Sequence, residues 1–196
     1  LQRDAAGRLV GETDYYGQTQ RYSYDAAGHL TRTIDPLGGV LNVRCDVLGR
    51  ATGRESKQGD LERFAYNRRG QLTEASNRAC TVRREYDADG RIVRETQQQA
   101  HLHGTLEYEY DAAGRLRSQR RRLQGASGST FDFTQTFSWR YDALGQPHLL
   151  QVDAHEPIRF SHDEVGRLVD IRFGGGLQQR HEYDQAGRLS RRTVFG

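Results

Sequence analysis

Two cysteines in 196 residues exclude a disulfide-stapled scaffold, and sequence spacing alone gives no reason to join Cys45 to Cys80, so both are expected as inert thiols. No apolar run approaches the roughly 20 residues of a membrane-spanning helix, and the segment carries no signal-peptide pattern. Leu, Ile, Val and Phe make up only about a fifth of the chain, and the mean hydropathy is −0.88. A thick core between two apolar layers is therefore not expected. Helical periodicity is missing as well: no segment places apolar residues at i, i+3, i+4 and i+7 over three turns. Lysine is nearly absent, with Lys57 alone among 29 basic residues. The remaining 28 (29 less one) are arginines, whose planar guanidinium stacks on tyrosine and forks onto carboxylates. Because 26 acids balance them, the net charge of +3 is no signature of nucleic-acid binding.

What the chain does have is a repeat. Tyr24-Asp25-Ala-Ala-Gly28-His-Leu30 recurs as Tyr66-Asn67-Arg-Arg-Gly70-Gln-Leu72, Tyr86-Asp87-Ala-Asp-Gly90-Arg-Ile92 and Tyr110-Asp111-Ala-Ala-Gly114-Arg-Leu116. It returns as Tyr141-Asp142-Ala-Leu-Gly145, His162-Asp163-Glu-Val-Gly166-Arg-Leu168 and Tyr183-Asp184-Gln-Ala-Gly187-Arg-Leu189. Partial copies stand at Asp4-Ala-Ala-Gly7-Arg-Leu9 and Cys45-Asp46-Val-Leu-Gly49-Arg50. The glycines at 7, 28, 49, 70, 90, 114, 145, 166 and 187 are separated by 21, 21, 21, 20, 24, 31, 21 and 21 residues. Such self-similarity marks a repeat architecture.

Asp-x-x-Gly predicts a type I turn. The aspartate caps the backbone two residues on, and the glycine takes the left-handed conformation that closes a bulged hairpin. On either side apolar and polar residues alternate, as in Tyr22-Ser-Tyr24, Phe64-Ala-Tyr66, Tyr108-Glu-Tyr110 and Phe137-Ser-Trp139-Arg-Tyr141. Period two is the strand signature. Secondary turns are expected half-way between, at Gly17, Asp35-Pro-Leu-Gly38, Gly59, 76–78, His103-Gly104, Gly125-Ala-Ser-Gly128, His155-Glu-Pro157 and Gly174-Gly-Gly176. The fold class is therefore all-β, a repetitive antiparallel hairpin meander of about 18 strands of roughly 6–8 residues. A curved single layer is expected, since one face is thinly aromatic and the other carries alternating Arg and Glu that read as charge ladders. The two long spacings are loop or strand insertions, the larger over Leu123 to Phe133.

The motif Tyr-Asp-Ala-Ala-Gly-Arg-Leu near every 21 residues resembles the YD repeat of Rhs proteins, also found in insecticidal toxin complexes and teneurins. The likeness covers essentially the whole of 1–196, about nine repeats, which is taken as one segment of a larger protein. It implies a β-sheet that spirals into a shell around a C-terminal toxin or other cargo. The expected partners are the rest of the shell, the enclosed toxin and the spike proteins of a type VI secretion system. It also implies a protein made in the cytoplasm and then secreted or translocated in bacterial competition. The nine repeats are expected to leave an open sheet with strand edges. Asp35-Pro36-Leu37-Gly38-Gly39 is the nearest string to the family's Asp-Pro-x-Gly-Leu core motif, but its place at a half-repeat turn predicts a turn rather than a cleavage site.

No catalytic, cofactor or metal site is expected. His101 and His103 share a strand face without a third ligand, the acids sit at turn positions, and Ser127, Ser129 and Ser161 lack an elbow motif. The residues expected to carry function are the turns Asp25, Gly28, Asp87, Gly90, Asp111, Gly114, Asp142, Gly145, Asp163, Gly166, Asp184 and Gly187. With them go the strand aromatics Tyr24, Tyr66, Tyr86, Tyr110, Trp139, Tyr141 and Tyr183. Enclosure is the leading reading. A teneurin-like recognition surface for a partner or carbohydrate is the alternative, by the outer face or the insertion at 123–133. An Arg-rich nucleic-acid-binding sheet, built on Arg120-Arg121-Arg122 beside aromatics, is the third.

Overall fold

The computed structural model describes residues 1–126 and 129–196, and among them there are eighteen strands, one 3-10 turn and no α-helix. The chain forms two compact units, residues 1–85 with 96–100 and residues 86–95 with 101–196. The first holds β1 (Gln2–Arg3), β2 (Leu9–Thr13), β3 (Thr19–Tyr24), β4 (Leu30–Ile34), β5 (Val40–Cys45), β6 (Ala51–Ser56), β7 (Leu61–Tyr66), β8 (Leu72–Ser76) and all but the last residue of β9 (Cys80–Tyr86). Each of these strands pairs antiparallel with the one before it. Strand β10 (Ile92–Gln99) contributes residues 92–95 to the second unit.

The second unit continues with β11 (Leu102–Tyr110), β12 (Leu116–Gly125), β13 (Asp132–Tyr141) and β14 (Pro147–Val152). It ends with β15 (Ile158–His162), β16 (Leu168–Arg172), β17 (Gln178–Tyr183) and β18 (Leu189–Phe195). From β12 onward every strand again pairs antiparallel with its predecessor. Each unit is thus a meander without crossovers, as hairpins joined by short turns require.

Period-two patterning decides what each face carries. Tyr22 and Tyr24 are half-buried around exposed Ser23, Phe64 and Tyr66 around exposed Ala65, and Tyr108 and Tyr110 around exposed Glu109. Among the described residues no apolar side chain is buried; only Gly11, Gly53 and Asp170 are. Within each unit apolar side chains shelter one another along the sheet. Tyr24 stands opposite Leu30, Tyr66 opposite Leu72, Tyr110 opposite Leu116 and Tyr183 opposite Leu189. Such cross-strand pairs contribute roughly 0.2–1 kcal/mol each, and their number substitutes for depth.

One expectation about the turns is corrected. His103 and Gly104 do not form a turn; they lie inside β11, opposite Gln124 and Leu123, because the alternation runs unbroken from Leu102 to Tyr110. Within the insertion over 123–133, expected as loop or strand, residues 123–125 and 132–133 are strand. Leu123 pairs with Phe133 and Gln124 with Asp132, which lengthens β12 and β13 to ten residues each. The expected turn Gly125-Ala-Ser-Gly128 falls partly on Ser127 and Gly128, which lie outside the described residues. The glycine run forms the 3-10 turn Gly174–Gly176, with Gly175 at φ +77°.

Candidate functional site

The Asp111 turn shows how the repeat is built. The Asp111 amide donates to the Arg115 carbonyl, and the Gly114 amide donates to the Asp111 carbonyl, both at 2.9 Å. One carboxylate oxygen, Oδ1, accepts the amides of Ala113 and Arg115 at 2.9 Å. Gly114 has φ +79°, the left-handed conformation that closes this turn. At the strand end Glu109 faces Ser118 but Tyr110 faces Leu116, the one-residue bulge of a G1 hairpin. Gly28, Gly90, Gly145, Gly166 and Gly187 take φ between +78° and +88° behind Asp25, Asp87, Asp142, Asp163 and Asp184.

Sequence reasoning noted the arginine after the glycine without finding its role. Arg115 Nε donates to Asp111 Oδ2 at 2.7 Å, and its guanidinium lies over the ring of Tyr141, in the next repeat, 4.5 Å from the centroid. The Tyr141 hydroxyl donates back to the Leu116 carbonyl at 2.7 Å. One arginine therefore ties its own turn to the next tyrosine, and that tyrosine ties itself to the residue after the arginine. The same clasp joins Arg8 to Tyr24, Arg50 to Tyr66, Arg91 to Tyr110 and Arg167 to Tyr183, with centroid distances of 4.8–5.1 Å. These lie inside the ~6 Å reach of a cation–π contact. The four hydroxyls donate to the carbonyls of Leu9, Ala51, Ile92 and Leu168 at 2.8–2.9 Å.

The five clasped arginine side chains are between 30% and 37% exposed, sheltered between the turn aspartate and the next tyrosine. Hydrogen bonds from Arg115 hold the Asp111 carboxyl below the usual carboxylate range against partial desolvation, and those from Arg50 do the same for Asp46. Asp25 is lowered chiefly by the His29 amide and Asp184 chiefly by the Arg188 amide.

Two joints depart from the clasp together. His29 replaces the arginine, its Nδ1 3.2 Å from Asp25 Oδ2, and Cys45 replaces the next tyrosine, its thiol donating to the Leu30 carbonyl at 3.7 Å. Gln146 also replaces the arginine and donates to the Gly166 carbonyl at 3.1 Å, and here the next tyrosine is His162. Tyr86 closes β9 immediately before the Asp87 turn. Trp139 lies two residues before Tyr141 in β13, opposite Leu150 and stacked on Phe137 at 6.1 Å.

On the other face the charge ladders are Arg44 with Glu55, Arg83 with Glu74 and Arg191 with Glu182, at 2.9–3.8 Å, while Arg54 pairs with Glu62 on the aromatic face and lies over the Phe64 ring. Of the arginine triplet, Arg122 pairs with Asp132, while Arg121 lies 5.4 Å from the ring centroids of both Phe133 and Phe137. Asp35 caps the amides of Leu37 and Gly39 at 2.8 Å in an Asp-x-x-Gly turn with Gly38 at φ +80°. His103 Nε2 lies 3.5 Å from Thr105 Oγ1 in β11.

Residues 3–40 match the family described as RHS Repeat. Over 83 residues, 42% of this chain, the sequence is 34% identical to the toxin protein Tse5 of Pseudomonas aeruginosa. Over its whole length it is 29% identical to the double-stranded DNA deaminase toxin A of Burkholderia cenocepacia. The matched regions span 6% and 11% of those two proteins. In fold, the chain resembles the crystal structure of TcdB2-TccC3-Cdc42 with a TM-score of 0.60 and 17% identity, over 97% of this chain and 13% of that one. For TcdB2-TccC3 without its hypervariable C-terminal region the TM-score is 0.58 and the identity 18%, over 96% of this chain and 12% of that one.

Proposed function

Because the chain belongs to the Rhs/YD-repeat family, we propose that it is a stretch of wall in an Rhs-type β-shell that encloses and protects a toxin or other cargo. One observation carries this reading: among the described residues the meander has no buried apolar side chain. A globular domain of this size would bury one. A sheet stabilised laterally, by backbone ladders and by clasps between turns, leaves both faces free to border a compartment. The work is steric and conformational. Paired strands exclude proteases and solvent-borne partners, and a polar lining holds cargo without tight hydrophobic capture.

In this reading the partners are the rest of the parent shell, the cargo and the delivery machinery, with secretion-system spike proteins among them. The parent protein is made in the cytoplasm and translocated, and chemistry on a target belongs to the cargo. That two relatives are named as toxins supports the reading. Among the described residues no helix is long and apolar enough to cross a membrane.

Trypsin digestion of the parent protein tests the proposal. With the repeats intact the cargo should survive at protease levels that degrade it when Gly114→Val and Gly145→Val open two turns. Equal survival after deletion of residues 1–196 would overturn enclosure by this segment.

A further inference from the structure

The turn joining β2 to β3 has the same Asp-x-x-Gly build but a different tip. Asp14 Oδ1 accepts the amides of Tyr16 and Gln18 at 2.9 Å, and Gly17 takes φ +81°. Between them stand Tyr15 and Tyr16, 98% and 85% exposed, their rings nearly perpendicular at 5.8 Å. The turn has no use for aromatic rings, since Ala5-Ala6 and Ala112-Ala113 occupy the same positions elsewhere. Two large apolar side chains held in water are informative where an isolated one would not be.

In five turns the second aspartate oxygen takes an arginine Nε and a tyrosine ring takes the guanidinium face. At Asp14 the residue after the glycine is Gln18, and Oδ2 accepts no hydrogen bond from the described residues. Residues 9–20 carry Glu12 and Asp14 and no basic side chain, in a chain with 29 of them. Two strands along the same edge, about 10 Å away by strand spacing, the tip of the β4–β5 turn presents Leu37, 97% exposed. We propose that the Asp14–Gly17 tip is a docking site for an arginine-bearing polypeptide, whose guanidinium stacks on Tyr15 and Tyr16 beside the Asp14 carboxylate and whose flanking residues lie toward Leu37.

The test is a titration of the full chain, labelled with 13C at tyrosine, by acetyl-Gly-Arg-Gly-Arg-Gly-amide and by its lysine counterpart. The Tyr15 and Tyr16 ring resonances should shift saturably, with the arginine peptide binding about fivefold tighter because a planar guanidinium stacks where an ammonium does not. Y15A/Y16A should abolish binding, read by isothermal titration calorimetry, and leave Tm unchanged, as the Ala-Ala turns predict. D14N should weaken binding while keeping the turn, since Asn67 Oδ1 already caps the Arg69 and Gln71 amides at 2.9 and 3.0 Å. No saturable shift, equal affinity for the lysine peptide, or binding that survives Y15A/Y16A would overturn the proposal.

Discussion

Arg115 lies over the ring of Tyr141, its guanidinium carbon 4.5 Å from the centroid, although 26 residues of chain separate them. In the regular repeats the corresponding separation is 16 residues, as for Arg8 and Tyr24 or Arg167 and Tyr183. The contact therefore survives a ten-residue lengthening of the intervening hairpin. It belongs to the register of turn against turn and not to a spacing along the chain.

Gly114→Val tests the turn. A left-handed backbone costs a side-chain-bearing residue roughly 1–2 kcal/mol, or about 2–8 °C in Tm for a chain of this size. The added Cβ would also sit 3.2 Å from Arg91 Nη1, disturbing the preceding clasp. Differential scanning calorimetry should show the loss, and an unchanged Tm would refute the turn's dependence on glycine.

Acid should weaken the sheet through its aspartates. The carboxyls of Asp25, Asp46, Asp111 and Asp184 are lowered in the folded state. Their stabilisation is thus fully present above the unfolded value of about 3.9 and is lost as pH falls through the lower folded values. Urea midpoints should hold between about pH 5 and 7 and fall below about pH 4. The chain already contains an uncharged version, in which Asn67 Nδ2 donates to Gln71 Oε1 at 2.9 Å. D111N/R115Q should keep the turn and reduce the acid sensitivity; an undiminished sensitivity would count against the ion pair at Asp111.

Arg167 pairs with Asp163 and stacks on the following tyrosine, Tyr183. Arg167→Lys keeps the charge beside Asp163 but not the planar stack, and should lower Tm by about 2–4 °C. An unchanged Tm would mean that the stacking contributes nothing.

The His29–Cys45 joint lacks both halves of the clasp. H29R/C45Y should raise Tm above the sum of the two single changes, since each side chain needs the other. A strictly additive result would contradict the pairing.

Turns and strands were legible in the sequence because both are local. Asp111 and Gly114 declare a reversal within four residues, and Tyr108-Glu-Tyr110 declares its two faces in three. The clasp was not legible, because the partner of Arg115 is decided by how one bulged hairpin lies against the next. The one available signal was that arginine and the following tyrosine fail together at His29–Cys45 and Gln146–His162, although Gln71 is still followed by Tyr86. His103-Gly104 misled for a related reason: a glycine marks a turn only where the alternation breaks, and β11 runs straight through it. A half-repeat turn was read at Gly17 from the glycine alone, and nothing in the sequence singled out Tyr15 and Tyr16 beside it.

A double-mutant cycle on Arg115 and Tyr141, read by equilibrium urea unfolding of the single variants R115A and Y141L and their combination, tests most directly whether neighbouring repeats are fastened side chain to side chain. A favourable coupling of about 0.5–1 kcal/mol is predicted, the range of a partly exposed cation–π contact. Additive losses would contradict the clasp and leave the backbone ladder as the sole bond between repeats.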